Sequence, residues 1–424
     1  MRVQLACLLA VIGCVDNAAA ADAITYTGTI GKLSVIVELA APGDDGTFLG
    51  RYAYLSKGID IPLHGTKSGK SGDLQLEEEK PCTEKLCKAT ADDVVEVAPI
   101  AGDWALSEDK GQLVGTWHDK ESGKSLPVRL ERKAKRVLPE GSDGFDAIDP
   151  TFLTDLGNPP VLSKEDLPYD FLKMSQPFKQ GAVVKVGDSA YRMERDTRTG
   201  LEYPVVVKLD GEDPGPLNAY LLQQRLQLSL PAFSCMARKY LGFGWYGMLG
   251  DGTTGYEDNG PTISVEHFSP RLMGIDESGT FYCVGAHPDN FDNHYLVDAS
   301  TGEALVPQSL LRGWIATNAD GVVVDPSTVE DESTLTFGPS EDLIKFVIDH
   351  RQKIDPGMES ECGIDAMVRT NLGVYFTQDT LVFTLQDLPY VSFACTNDLL
   401  KVPLKDARPL LTDAAAKYFP VLDR

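Results

Sequence analysis

Residues 22–136 follow a period of two, and this constrains the fold more than any other feature of the chain. "LSVIVEL" at 33–39 puts Leu33, Val35, Val37 and Leu39 on one face and Ser34 and Glu38 on the other. "DLQLE" (73–77) and "LPVRLER" (126–132) repeat the alternation, the signature of half-buried strands. Gly/Ser/Asp clusters separate these runs at hairpin spacing, and no helical stripe interrupts them. The pattern predicts an N-terminal antiparallel β-domain, a meander or small barrel, with Trp104 and Trp117 as core anchors.

The pattern then changes. Residues 137–170, "VLPEGSDGFDAIDPTFLTDLGNPPVLSKEDLPYD", are rich in Pro, Gly and Asp and read as a linker. Over 171–424 strands and helices mix. "YPVVVKL" (203–209) alternates as a strand, and "GPLNAYLLQQRLQL" (215–228) reads as a helix. "PSEDLIKFVIDHRQKI" (339–354) is the clearest helix, with Ser340 as N-cap, Glu341 and Asp342 in its first turn, and His350 on a stripe with Leu343, Val347 and Ile354. "VYFTQDTLVFTL" (374–385) reads as a hairpin turning at Gln378-Asp379, and an amphipathic segment near 406–418 closes the chain. The irregular order predicts α+β rather than a doubly wound sheet.

Residues 1–21 read as a signal peptide: Arg2, an apolar run over 3–13, and Ala18-Ala19-Ala20 as a cleavage site. "VIGC" (11–14) also loosely fits a bacterial lipobox, which would make Cys14 a lipid anchor. No later run is long enough to span a bilayer as a helix. Setting aside Cys7 and Cys14, six of the eight cysteines remain: Cys82, Cys87, Cys235, Cys283, Cys362 and Cys395. An even number behind a leader implies disulfides made in an oxidising compartment, periplasmic or extracellular. Local grouping suggests Cys82–Cys87, Cys235–Cys283 and Cys362–Cys395, and the chain has no C-x-x-C to favour zinc. The net charge of −24 argues against nucleic acid and anionic membranes and suits a cationic partner.

Few motifs carry chemistry. Gly-Lys-Ser occurs at 69–71 and 123–125, but a phosphate loop needs a glycine where His64 and His118 stand. G-x-S-x-G and H-E-x-x-H do not occur. His64, His118 and His267 stand alone, and His350 reads as partly buried on its helix. "DGTTGYEDNG" (251–260) offers Asp251, Glu257 and Asp258 without calcium-loop spacing. The densest stretch is "FYCVGAHPDNFDNHYLVDASTG" (281–302), where His287, Asp292 and His294 would supply two imidazoles and a carboxylate to a hydrolytic metal. Against this, Pro288 holds His287 extended and "HYLVD" alternates as a strand, so the expectation is a loop and hairpin with neither cofactor nor metal.

Over roughly 171–420, "YPVVVKLDG", "PLNAYL", the 281–302 stretch and "VYFTQDTLVFTL…VPLKDARPLL" follow one another in an order that resembles a known family. This is the extracellular module shared by the RsiV anti-sigma factor and the accessory domain of PdaC-type peptidoglycan deacetylases. Its G-x-H-P loop and Asp-x-x-Thr-Gly hairpin are matched by Gly285, His287, Pro288, Asp298, Thr301 and Gly302. The resemblance implies an α+β envelope module that binds cell-wall material or lysozyme and is not itself a catalyst. Without a transmembrane helix or sigma-binding segment, an anti-sigma role is not expected. The chain therefore reads as an exported, non-enzymatic envelope protein that binds peptidoglycan or lysozyme. The alternatives are a metal-dependent hydrolase acting on envelope polymers and a structural envelope lipoprotein.

Overall fold

Eight short strands, each carrying alternate apolar side chains, close into a barrel. They are β1 (Asp22–Ile30), β2 (Leu33–Ala40), β3 (Thr47–Tyr54), β4 (Ile61–Lys67), β5 (Leu74–Glu79), β6 (Ile100–Asp109), β7 (Gln112–Asp119) and β8 (Ser125–Val137). Each strand pairs antiparallel with the next, and β8 returns to β1, from Asp22 opposite Val137 to Ile30 opposite Val128. Closure leaves no sheet edge to solvent. The computed structural model describes residues 22–67, 73–87, 97–139, 144–151, 161–245, 253–257, 260–283, 285–329 and 331–423. The leader with Cys14, the first Gly-Lys-Ser triplet, Asp251 and Asp258 lie outside these residues.

Turn chemistry sets the register. Lys110 and Gly111 both have positive φ, 52° and 81°, as a two-residue type I′ hairpin loop between β6 and β7 requires. The second Gly-Lys-Ser triplet lies at the turn from β7 to β8, with Gly123 at φ 69°. Val35, Val37, Leu39, Leu63, Leu76 and Trp104 fill the interior, and Tyr52 meets Trp104 edge-on at 5.0 Å. Two details depart from the sequence pattern. Leu33, at the end of its strand, is 53% exposed. Glu38, on the outer face, is fully buried beneath a helix.

That helix is α1 (Pro168–Met174). It ends a stretch that its composition marks as a linker, yet the described part of 137–170 is packed. Leu138, Phe145, Ala147 and Ile148 join the barrel core, while Leu162 and Leu167 pack with Met174 against Leu226, Leu230 and Phe233. Pro and Gly set the path of the backbone, and the scattered apolar side chains decide where it lies.

Next come β9 (Lys179–Val186), β10 (Ser189–Arg195) and β11 (Glu202–Lys208), one antiparallel sheet, and then α2 (Gly215–Ala237). The long helix continues past its expected end and through Pro231, because Leu226, Leu230 and Phe233 bury on the turns around the proline. Its first half packs Leu217 and Leu221 on the sheets, and just past its end Tyr240 and Phe243 reach the barrel core. The remainder holds three antiparallel sheets. The first is β12 (Thr262–Phe268), β13 (Leu272–Phe281), β14 (Asp289–Asp298) and β15 (Ala304–Leu305). The second is β16 (Trp314–Thr317), β17 (Val323–Val324) and β18 (Thr336–Pro339), with β16 in the middle. Helices α3 (Glu341–His350), α4 (Pro356–Cys362) and α5 (Ile364–Asn371) then lead into β19 (Leu372–Phe376), β20 (Thr380–Leu385) and β21 (Asp398–Pro403). The fold is strand-rich α+β.

Local signals hold well here. Ser340 Oγ caps α3 by accepting from Leu343 N at 3.2 Å. Thr377 N donates to Thr380 O across Gln378-Asp379, closing the β19–β20 hairpin. His350 differs from expectation: it is exposed, and its Nδ1 lies 2.8 Å from Phe346 O. Segment 406–418 forms short 3-10 turns. Three disulfides, Cys82–Cys87, Cys235–Cys283 and Cys362–Cys395, join successive cysteines along the chain. Among the described residues no helix is long and apolar enough to cross a membrane.

Candidate functional site

Antiparallel pairing among β12, β13 and β14 gathers a polar cluster on one face of their sheet. Asp292 and His294, two residues apart on β14, project to the same side. His294 lies directly opposite Asp276 of β13. One donor atom from each of Asp276, Asp292 and His294 falls within 4.8 Å of the other two. Asp292 and His294 of the sequence-based trio thus come together with a third residue, Asp276, that the sequence did not suggest. Their alternation brings the two side chains together instead of separating them.

His287, the other member of that trio, is not in the cluster. It is exposed in the loop before β14, its ring stacked on Tyr390 at 4.5 Å and its Nδ1 2.8 Å from Pro288 O.

His294 is held firmly. Its side chain is 8% exposed, its Nδ1 lies 3.1 Å from Glu266 Oε2 of β12, and its ring stacks on Tyr375 at 3.9 Å, 5° from parallel. The Tyr375 hydroxyl in turn bonds both carboxylate oxygens of Asp398 at 3.1 Å. Nε2 therefore faces Asp292, with Oδ1 at 3.9 Å. Asp276 Oδ1 is buried and has no hydrogen-bond partner.

Electrostatics follow from this crowding. Burial, reinforced by Asp292 and Glu266, pushes the Asp276 carboxyl up to about 6, although His294 pulls the other way. Burial disfavours the charged form of His294, but the hydrogen bond to Glu266 and the nearby carboxylates outweigh it and raise its pKa. Three carboxylates thus share one imidazole.

The opposite face of β13 holds Glu277, buried and accepting a hydrogen bond from Tyr203. Burial raises its carboxyl to about 7. This side is sealed, whereas the Asp292 side chain remains 26% exposed.

The loop and hairpin residues Gly285, Pro288, Asp298, Thr301 and Gly302 hold the backbone in place. Gly285 takes φ 121°, in the range that favours glycine. Asp298, 3% exposed, accepts from Ser300 N and Oγ at 3.0 and 2.6 Å, from Lys417 Nζ at 2.6 Å and from Tyr418 OH at 3.0 Å. Burial alone would raise this carboxyl, but those donors together hold it well below the usual carboxylate range. Thr301 Oγ1 accepts from Glu303 N at 3.2 Å, and a Cβ on Gly302 would lie 2.4 Å from Pro216 O at the start of α2.

The isolated histidines each have one local partner, although His267 Nε2 is buried without one. His64 Nε2 lies 2.7 Å from Glu79 Oε1, His118 Nδ1 3.1 Å from Ser125 Oγ, and His267 Nδ1 3.1 Å from Thr377 O. Trp104 and Trp117 both donate to Glu78 Oε2, at 3.3 and 2.8 Å, although Trp117 is only half-buried.

No family model matches the chain, and no curated protein matches it.

Asp276 and Glu266 lie in "ISVEHF" and "LMGIDESGTF", whose strand pairing is the signal that would have found them. Once those runs are aligned as a hairpin, Glu266 and Asp276 fall beside His294.

Proposed function

We propose that this is an exported, non-enzymatic binding protein of the cell envelope that recognises a cationic partner, a basic protein such as lysozyme or basic groups of cell-wall material. The observation that carries the reading is the distribution of charge. Among the described residues nine buried carboxylates face four buried Lys and Arg side chains. Most of the excess behind the net charge of −24 is therefore left outside the core. A surface of that sign accelerates encounter with a cation and gives an affinity that weakens with salt. Three disulfides suit an oxidising compartment, and the resemblance of the C-terminal part to the RsiV-type module supports the same reading. The leader carries the export expectation, and Cys14 as a lipid anchor belongs with it.

Calorimetric titration of the folded protein with lysozyme tests the proposal. Saturable binding is expected at low ionic strength, weakening at least about tenfold as salt rises from tens to hundreds of millimolar. No heat at low salt would remove lysozyme as the partner.

A second reading, a metal-dependent hydrolase of envelope polymers, draws on the meeting of Asp292 with His294.

A further inference from the structure

We infer that Asp276, Asp292 and His294 form a binding site for a divalent first-row transition metal of the zinc class, with Glu266 orienting the histidine. The inference does not depend on the identity of the protein's partner.

The first argument is the orientation of His294. An imidazole that ligates a metal through one nitrogen nearly always gives the other to a carboxylate or carbonyl, which fixes its tautomer and aim. His294 has that arrangement: Nδ1 is on Glu266 Oε2 at 3.1 Å, Tyr375 stacks on the ring at 3.9 Å, and Nε2 faces Asp292. The Nδ1–H tautomer leaves a lone pair on Nε2, on a side chain only 8% exposed and directed into the carboxylate pair.

The second argument is the unpartnered acceptor. Asp276 Oδ1 is one of nine buried side-chain polar atoms without a hydrogen bond among the described residues, and the one that belongs to this cluster. Its neighbours Asp292 and Glu266 are carboxylates that repel it. A divalent ion would supply the missing positive charge.

The three donors lie within 4.8 Å of one another, wider than a bound ion would hold them. With ligand bonds of about 2.0–2.2 Å, tetrahedral donors stand roughly 3.4 Å apart. Nε2 and Asp292 Oδ1 are 3.9 Å apart, so a closure of a few tenths of an ångström completes the pair. Asp292 is still partly exposed, which leaves a path for the ion and room for a water as fourth ligand.

The donor set selects the metal. One imidazole with two carboxylates suits zinc or manganese, whereas calcium and magnesium take oxygen ligands and would leave Nε2 unused.

The test is isothermal titration of the full chain, stripped with chelator and dialysed, with zinc chloride at neutral pH. Wild type is expected to bind one zinc with saturable heat. His294→Ala and Asp292→Asn should each weaken that event at least about tenfold. Glu266→Gln should weaken it about ten- to a hundredfold, while leaving the metal-free unfolding midpoint unchanged, which separates positioning from folding. Calcium chloride at the same concentration should give no saturable heat. Circular dichroism confirms folding first, and if His294→Ala does not fold, Asp292→Asn decides. The inference is overturned if folded wild type shows no saturable zinc binding, or if Asp292→Asn binds as wild type does.

Discussion

Two of the charged clusters among the described residues, one in each half of the chain, are built on opposite principles. Between the barrel wall and α1, Arg51, Arg136 and Lys173 meet Glu38, Asp60 and Asp170. Arg51 reaches Glu38 at 2.8 Å, Asp60 at 3.3 Å and Asp170 at 2.7 Å, Arg136 holds Glu38 at 2.6 Å, and Lys173 holds Asp60 at 2.8 Å. Charges balance three to three, and the Arg51 guanidinium also lies 4.1 Å over the Tyr169 ring. Around Asp276 three carboxylates share one histidine.

The difference shows what each cluster is for. Burial lowers a cation's pKa, yet Asp170, Glu38 and Asp60 together raise that of Arg51 well above its usual value. Arg51 and Lys173 likewise hold Asp170 below the carboxylate range despite burial. Every partner of that network is internal, and it joins α1 to the barrel. Within it burial still raises Asp60 and Asp170 Oδ1 accepts no hydrogen bond, but Lys173 Nζ stands 3.6 Å from that oxygen. In the Asp276 cluster the carboxyl is raised to about 6, its bare oxygen has no hydrogen bond, and no lysine or arginine among the described residues pairs with it. Protein groups complete the first cluster, and an ion would complete the second.

The largest expected effect comes from breaking the balanced cluster. Arg51→Met leaves Glu38, Asp60 and Asp170 without their shared cation, and should cost about 3–5 kcal/mol in urea unfolding. A loss below about 1 kcal/mol would mean that the network is a minor part of the join.

A smaller effect is expected at Asp298, a compact balanced knot. Asp298→Asn removes the charge that Lys417, Ser300 and Tyr418 hold, costing about 1.5–3 kcal/mol near neutral pH. Because this carboxyl is depressed in the folded state, its contribution is complete above the unfolded value of about 3.9 and is lost as pH falls towards the folded value. Wild type should therefore lose stability between about pH 4 and pH 2 more steeply than Asp298→Asn, as followed by unfolding midpoints across that range.

The two clusters were unequally legible in the sequence. The barrel showed in its alternation because a strand's period is local, and Val35, Val37 and Leu39 are buried as the pattern requires. Glu38 was placed on the outer face, but nothing in "LSVIVEL" tells that α1 covers that face and makes Glu38 an internal ion. The stretch 137–170 looked like a linker because composition weighs Pro and Gly, while Phe145, Ile148 and Leu162 are too irregularly spaced to show a period. Asp292 and His294 stand out because they are close in sequence, and His287 stands out for the same reason. Asp276 and Glu266 do not show in the sequence because they reach His294 through strand pairing, Glu266 lying 28 positions before it. Sequence proximity found half the cluster, and register supplied the rest.

The contrast itself is tested most directly by thermal unfolding of wild type and Asp276→Asn, each with and without zinc. Without metal, Asp276→Asn removes one of three crowded carboxylates, so its stability should match or exceed that of wild type to within about 1 kcal/mol. With zinc in excess, wild type should gain by mass action, and Asp276→Asn should gain at least about tenfold less in apparent affinity. A metal-free Asp276→Asn destabilised as severely as Arg51→Met, or a zinc shift equal in both proteins, would contradict the account.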